Sequence, residues 1–183
     1  MDKTSQLMGQ AADRAATAFA EMLNLPVSIK LSKAELVDDL SAGFNIVNKN
    51  NNWGKAVTLN FNGGIRGKAI FLLPARHDNI LLSALFEQNP DLESIEGDSN
   101  GILTEIGNVL LNVCVGTIAN HIEKQVLYQQ PELIQQPDIT RFFEYGLAGS
   151  PNMLLMISTL GVGKIEVDAY IVLVLYDTLQ IKG

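Results

Sequence analysis

Residues 101–124 read GILTEIGNVLLNVCVGTIANHIEK, and this stretch decides the fold. Bulky apolar side chains recur on most sides of the helix that this pattern predicts: Ile102, Leu103, Ile106, Val109, Leu110, Leu111, Val113, Cys114, Val115 and Ile118. A helix that is apolar around most of its circumference is usually buried by several neighbours. We therefore expect this helix to lie at the centre of the molecule.

Three polar residues interrupt the same helix, namely Glu105, Asn108 and Asn112. Their spacings of three and four residues place them on one stripe of the helix surface. Asn is a mediocre helix former, so helix propensity does not account for two of them in one helix. The stripe contains no Lys or Arg, unlike an ordinary charged surface, and no His or Cys, so it does not indicate a metal site.

The pattern alone leaves three interpretations of the stripe open. It is a solvated helix face, or it holds buried Asn residues bonded to a neighbouring element, or it is a functional surface. In the third case a carboxylate and an amide one turn apart can accept from a cation and orient a water molecule. An amide cannot take up a proton, so chemistry here rests on positioning rather than on general base catalysis.

Outward from this helix, the rest of the chain repeats one order of elements. Residues 5–23 predict an alanine-rich helix that ends at Pro26, and residues 27–32 alternate as a half-buried strand does. Residues 56–61 and 67–73 flank Asn62-Gly63, which is typical of a hairpin. Residues 80–86 predict a short helix, and residues 48–52 and 89–100 predict polar connections.

The second half of the chain follows the same order. Residues 101–124 form its helix, residues 128–134 are extended around Pro131, and residues 153–160 and 165–176 predict a second hairpin. We therefore predict an α+β fold made of a duplicated helix–strand–hairpin unit. Its antiparallel sheet packs against two long helices, and the chain of residues 1–183 is one domain with pseudo-repeats at about 1–90 and 99–183.

Composition narrows the range of possible partners and compartments. The chain has 183 residues, 47% of them hydrophobic, and a net charge of −7, with no basic stripe. Nucleic acid and anionic membranes are therefore poor candidates as partners. Cys114 is the only cysteine, and the N-terminus lacks a signal-peptide pattern, so we expect a cytoplasmic protein.

The polar stripe also contains a recognisable motif. The spacing Glu105-x-x-Asn108, followed after twenty-two residues by Pro131, resembles the signature of the CheC/CheX/FliY family of chemotaxis phosphatases. The strings EIGN at 105–108, AATA at 15–18 and LNLPV at 23–27 are also similar to this family, as are the two hairpins. The resemblance covers nearly the whole chain and accounts for the repeated order of its elements.

The resemblance implies a function and a site. Members of this family hydrolyse the aspartyl phosphate of a response regulator such as phosphorylated CheY. By that resemblance Asn108 orients the attacking water and Glu105 pairs with a lysine of the regulator. Asn112, on the same polar stripe, is a further candidate binding residue. The Mg²⁺ is then held by the regulator, and this chain binds neither a cofactor nor a metal itself.

The chain departs from the family pattern in two places. The pattern has Asp or Ser four residues before the glutamate, where this chain has Gly101, and we expect Ser99 or Asn100 to cap the helix instead. The positions in the first helix that correspond to the Glu/Asn pair are Gln6 and Gly9. No proline follows them either, since Ser32 occupies that place, so we predict a single active site.

Two other functions remain open at this point. Because Gly101 lacks the side chain of the family pattern, the chain could be a non-catalytic module that binds a response regulator, a flagellar switch component or a CheD-like partner. The stripe could also be a contact between two copies of this chain in a homodimer.

Overall fold

The computed structural model describes residues 3–37, 39–49, 52–90, 99–143 and 152–177. The described chain contains, in order, α1 (Lys3–Leu23), β1 (Val27–Val37), α2 (Leu40–Asn48), β2 (Trp53–Gly63), β3 (Gly67–Pro74), α3 (His77–Gln88), α4 (Ser99–His121), β4 (Val126–Tyr128), β5 (Glu132–Gln135), α5 (Thr140–Phe143), β6 (Asn152–Val162) and β7 (Ile165–Leu175).

The two long predicted helices are confirmed as α1 and α4. Helix α1 ends where Asn24 adopts a positive φ of 52° and Pro26 follows, since proline cannot continue the backbone ladder. Helix α4 ends at His121, three residues earlier than expected, and Glu123 beyond it has a φ of 56°. Ser99 and Asn100 lie inside the first turn of α4, so neither occupies the N-cap position that we predicted for them.

The strands form one antiparallel sheet of seven strands. Its order is β1-β6-β7-β3-β2-β4, and β5 also pairs with β2. Both predicted hairpins are confirmed: Asn60 lies opposite Lys68 in the first, and Leu160 lies opposite Val167 in the second. Gly63 and Gly163 have positive φ angles of 114° and 61° at the two turns, a conformation that glycine adopts readily.

Each hairpin pairs with an extended segment from the other half of the chain. Strand β1 pairs with β6, so that Val27 lies opposite Val162. Strands β4 and β5 pair with β2, with Tyr128 opposite Phe61 and Leu133 opposite Val57. From either edge of the sheet towards its centre, an extended segment of one half is therefore followed by the hairpin of the other half. The duplication itself stays a prediction, because pairing alone does not show a common origin for the halves.

Hydrophobic cores lie on both faces of the sheet. The helix-face core holds α1, α3 and α4, with Phe19, Leu85 and Leu110 among its buried side chains. The second core lies on the opposite face and includes Val47 from α2 and Phe142 from α5. The predicted α+β fold with two long helices on an antiparallel sheet is confirmed, but the layer on the opposite face was not expected.

The sequence pattern missed α2 for a local reason. Its residues, LSAGFNIVN, include a glycine and two asparagines, which have low helix propensity, and Asn48 was assigned to a loop. The helix is supported instead by a cap, since the carboxylate of Asp39 accepts from the backbone N–H of Ser41 at 2.8 Å. The rest of the predicted connections at 48–52 and 89–100 falls partly outside the described residues, namely at 50–51 and 91–98.

Candidate functional site

The polar stripe of α4 lies on the outer side of the helix. Glu105 is exposed, and Asn108 and Asn112 are half-buried. The residues of α4 that face the core are buried, including Leu103, Ile106 and Leu110. Neither Glu105 nor Asn108 is therefore enclosed by the core of the chain itself, and a partner molecule can reach both side chains.

Gly107 determines which way the stripe faces. A Cβ atom at this position would lie 2.5 Å from Cβ of Val57 on β2, so only glycine allows α4 to lie this close to the sheet. Successive residues of a helix are rotated by about 100°, which places Glu105 on the side of α4 opposite Gly107. The close contact at Val57 thus turns the Glu105 side chain away from the sheet.

The two asparagine side chains are bonded to each other. Nδ2 of Asn112 donates to Oδ1 of Asn108 at 2.9 Å. Oδ1 of Asn112 is buried, and no hydrogen-bond donor within the described residues reaches it. The hydroxyl of Tyr128 on β4 donates to the backbone carbonyl of Asn112 at 3.2 Å, which ties the short strand to the helix. Burial raises the pKa of Tyr128, so this hydroxyl keeps its proton at neutral pH.

A cluster of charged and polar residues lies at the N-terminal end of α4. Nζ of Lys55 donates to Oδ1 of Asn100 at 3.0 Å and lies 3.5 Å from Oδ2 of Asp78, and the side chains of Lys55 and Asp78 are both largely buried. This cluster is not visible as a sequence motif, because its three residues come from β2, α3 and α4. A cavity of about 470 Å³ opens beside it, lined in part by Trp53, Lys55 and Asp78.

Pro131 falls in the break between β4 and β5. The segment 128–134 was predicted to be extended, and it forms two short strands that both pair with β2. Proline has no backbone N–H and so cannot donate to a sheet ladder, which agrees with its place between the strands. Pro131 thus lies outside both of the ladders that flank it.

The positions in α1 that correspond to the Glu/Asn pair carry no such pair. Gln6 is exposed and Gly9 is half-buried, so both lie towards the outer side of α1. A Cβ atom at Gly9 would meet no other atom within 4 Å, so the space that a side chain would occupy is open. The prediction that α1 holds no second active site remains untested.

Metal-binding side chains and the single cysteine are the other features of the sequence that could carry chemistry. Among the described residues no group of three or more His, Cys, Asp and Glu side chains could hold a metal ion. Cys114 is fully buried in α4, and burial raises its pKa to about 12, as expected for an unreactive core thiol.

Helix α4 is long and apolar enough to cross a membrane, judged by length and composition within the described residues. Most of this helix is buried in the molecule, where it packs against α1 and β2. Its apolar surface is therefore explained by its place in the helix-face core.

Comparison with solved structures identifies the fold. FliY from Thermotoga maritima superposes with a TM-score of 0.61 at 12% identity, covering 94% of this chain and 91% of that one. A CheX–CheY–BeF3–Mg²⁺ complex from Borrelia burgdorferi gives 0.55 at 14% identity, with 94% and 97% covered. A FliG–FliM complex from H. pylori gives 0.60 at 7% identity, with 94% and 93% covered.

Comparison by sequence alone adds nothing to this result, since no family model and no curated protein matches the chain. The likeness at 7–14% identity concerns the arrangement of helices and strands, and it extends over more than nine-tenths of each chain. The chain therefore has a CheC/CheX/FliY-like fold, as its motif and element order predicted.

Proposed function

We propose that this chain is a phosphatase that hydrolyses the aspartyl phosphate of a CheY-like response regulator. The observation that carries the proposal is the placement of Glu105 and Asn108, one turn apart on the outer side of α4. The contact between Gly107 and Val57 holds this helix against a sheet that is buried on both faces. Side chains on so rigid an element are suited to catalysis by positioning.

Each residue has a distinct role in this proposal. The Asn108 amide hydrogen-bonds to a water molecule and holds it in line with the phosphorus atom. The oxygen–phosphorus bond of the acyl phosphate breaks as the bond from water to phosphorus forms, giving the free carboxylate of the regulator and inorganic phosphate, which takes the protons of the water. The Glu105 carboxylate pairs with a cation of the regulator and sets the position of docking.

The proposed reaction requires few further groups from this chain. Phosphoryl transfer passes through a loose transition state, in which positioning and electrostatic stabilisation supply most of the catalysis. The Mg²⁺ that stabilises the phosphoryl charge is expected on the regulator. A solved complex on this fold supports such an arrangement, since the Borrelia CheX structure contains CheY, BeF3 and Mg²⁺.

Phosphate release from regulators phosphorylated with acetyl phosphate tests the proposal. We expect the wild-type chain to accelerate release above the rate of the regulator alone. Asn108→Ala should lose about 100-fold in kcat while binding is retained, because it removes a group that acts on the attacking water. Glu105→Lys should weaken binding instead, because it places two cations opposite each other. Gln6→Ala, on the exposed side of α1, is the matched control and should leave both values unchanged.

The alternative is a binding module that docks a partner without hydrolysing it. The FliG–FliM complex from H. pylori, on the same fold, is the observation that favours it. Gly101 also favours it, because this glycine stands where the family pattern has Asp or Ser. Binding of the regulator, or of a CheD-like protein, without faster phosphate release would support this alternative. Burial of the stripe against a second copy of this chain would support a homodimer.

A further inference from the structure

The bond between the two asparagine side chains fixes one edge of the Asn108 amide. Because Oδ1 of Asn108 accepts from Nδ2 of Asn112 at 2.9 Å, the Asn108 amide is held with its oxygen towards Asn112. Its own Nδ2 group, a donor of two hydrogen bonds, is then directed away from Asn112. Within the described residues, no hydrogen-bond acceptor is paired with this Nδ2 group of Asn108. Asn108 is half-buried on the polar stripe.

Asn112 is restricted by a hydrogen bond at its backbone and by burial at its side chain. Its backbone carbonyl accepts from the Tyr128 hydroxyl at 3.2 Å, and Oδ1 of its side chain is buried. Burial of Oδ1 limits rotation of the Asn112 side chain, which keeps its Nδ2 group directed at Oδ1 of Asn108. An amide that is free to rotate would present its oxygen edge and its nitrogen edge in turn, and only one of them suits a given ligand atom.

We propose that Asn112 is a positioning residue that holds the Asn108 amide with its N–H edge towards the site where water and the phosphoryl group meet. This inference rests on the proposed phosphatase function and adds the orientation of the amide to it. The N–H edge can donate both to the water oxygen and to a phosphoryl oxygen, whereas the oxygen edge can only accept from water and would repel the negatively charged phosphoryl oxygens. Asn112 does not touch the substrate and acts through Asn108 alone.

Asn112→Asp tests the inference because an ionised carboxylate can only accept a hydrogen bond. The Asn108 amide must then turn its nitrogen towards residue 112 and its oxygen towards the substrate. A protonated carboxyl can donate, which restores the original orientation. We expect kcat of Asn112→Asp to fall about 10- to 100-fold at high pH and to recover as the introduced carboxyl is protonated. The KM for the regulator should stay within about twofold, because docking depends on Glu105.

Neighbouring titratable groups do not imitate this pH profile. Tyr128 on β4 contacts residue 112, and burial raises its pKa, so it stays neutral throughout the assay range. Glu105 lies two turns away on α4 and is present in both the variant and the wild type, so the difference between the two profiles reports the carboxyl introduced at residue 112. Asn120→Asp, at an exposed position of the same helix, is the matched control for an added charge, and its profile should follow that of the wild type.

Asn112→Leu removes the donor at similar size and should reduce kcat about tenfold at every pH, with KM unchanged. The side-chain ¹H–¹⁵N resonances of Asn108, identified by their loss in Asn108→Ser, should shift in Asn112→Leu and report the freed amide without reference to activity.

If folded Asn112→Leu and Asn112→Asp keep the wild-type kcat at all pH values, the inference is wrong and the bond only stabilises the helix. If the wild type itself does not accelerate phosphate release, the proposed function fails and this inference fails with it.

Discussion

Asp177 joins the end of β7 to the turn that precedes β3. Its carboxylate accepts from the backbone N–H of Arg66 at 2.8 Å and from Nη2 of the same residue at 2.8 Å. These bonds from Arg66 lower the pKa of Asp177, because they favour its charged form. Both side chains are partly exposed, so solvent weakens the interaction.

We predict a small, pH-dependent loss of stability in Asp177→Asn. A carboxyl whose pKa is lower in the folded state stabilises the fold above its unfolded pKa, and this contribution disappears as pH falls through the folded pKa. The melting temperature of the variant should therefore lie at most a few degrees below that of the wild type at pH 7, and the difference should vanish in strong acid. A difference that persists at a pH of about 2 would show that the bonds of Asp177 act independently of its charge.

Individual site residues could be predicted from the sequence only in part. The spacing of Glu105, Asn108 and Asn112 was sufficient to place them on one stripe, because helical periodicity is local. The bond between Asn108 and Asn112 did not follow, since residues four apart can also point past each other. The pairing of Lys55 with Asp78 and Asn100 was invisible for a different reason, because it joins three elements that meet only in the folded chain.

Among the elements, α4 has the largest influence on the site. It contacts the sheet through Gly107 and Val57, and this contact leaves the polar stripe on the outer side. The same helix is buried against α1 on its flank, so its orientation is fixed by two neighbours. A change at the contact should therefore disturb both stability and the direction of Glu105.

We predict opposite effects for alanine at the glycines of the two long helices. Gly107→Ala brings a Cβ atom to 2.5 Å from Val57, and such overpacking should reduce the free energy of unfolding by about 1–3 kcal/mol. Gly9→Ala in α1 adds a methyl group to open space and should raise the free energy of unfolding by about 0.5–1 kcal/mol, because alanine favours helix. Urea unfolding measures both changes. An equal gain in the two variants would mean that the contact at Val57 can yield without penalty.

The structure confirms the long elements and corrects the short ones. Helices α1 and α4 and both hairpins follow from strong periodicity and from Asn-Gly and Gly-containing turns. Helices α2 and α5 do not, since a nine-residue and a four-residue segment give too little pattern. Strand β1 also continues to Val37, beyond the predicted segment 27–32. The alternation of half-buried and exposed side chains breaks down at a register shift between Leu31 and Lys33.

At the scale of the whole molecule, the two halves of the chain share one sheet. Strand β1 completes the hairpin of the second half, and β4 and β5 complete the hairpin of the first. The central strands are buried on both faces, between the helix-face core and the second core. Sequence patterns could not show this exchange, because local alternation identifies a strand without naming its partner.

We predict that the full chain unfolds in a single transition. Trp53 is the only tryptophan and lies buried in the second core, so its fluorescence reports the face of the sheet opposite α1 and α4. Far-UV circular dichroism reports mainly the long helices. The two signals should change together on heating, and a fragment of residues 1–90 should show no cooperative transition, because it lacks the partner of β1. Two separated transitions would mean that the cores fold independently.

The pairing of β1 with β6 also has a consequence for synthesis on the ribosome. Val27 and its neighbours emerge more than a hundred residues before Val162 and the strand that will accept their hydrogen bonds. Until then the nascent polypeptide carries an open strand edge that any other extended chain can occupy. Correct biogenesis of this protein therefore depends on keeping that edge unoccupied until β6 has been synthesised.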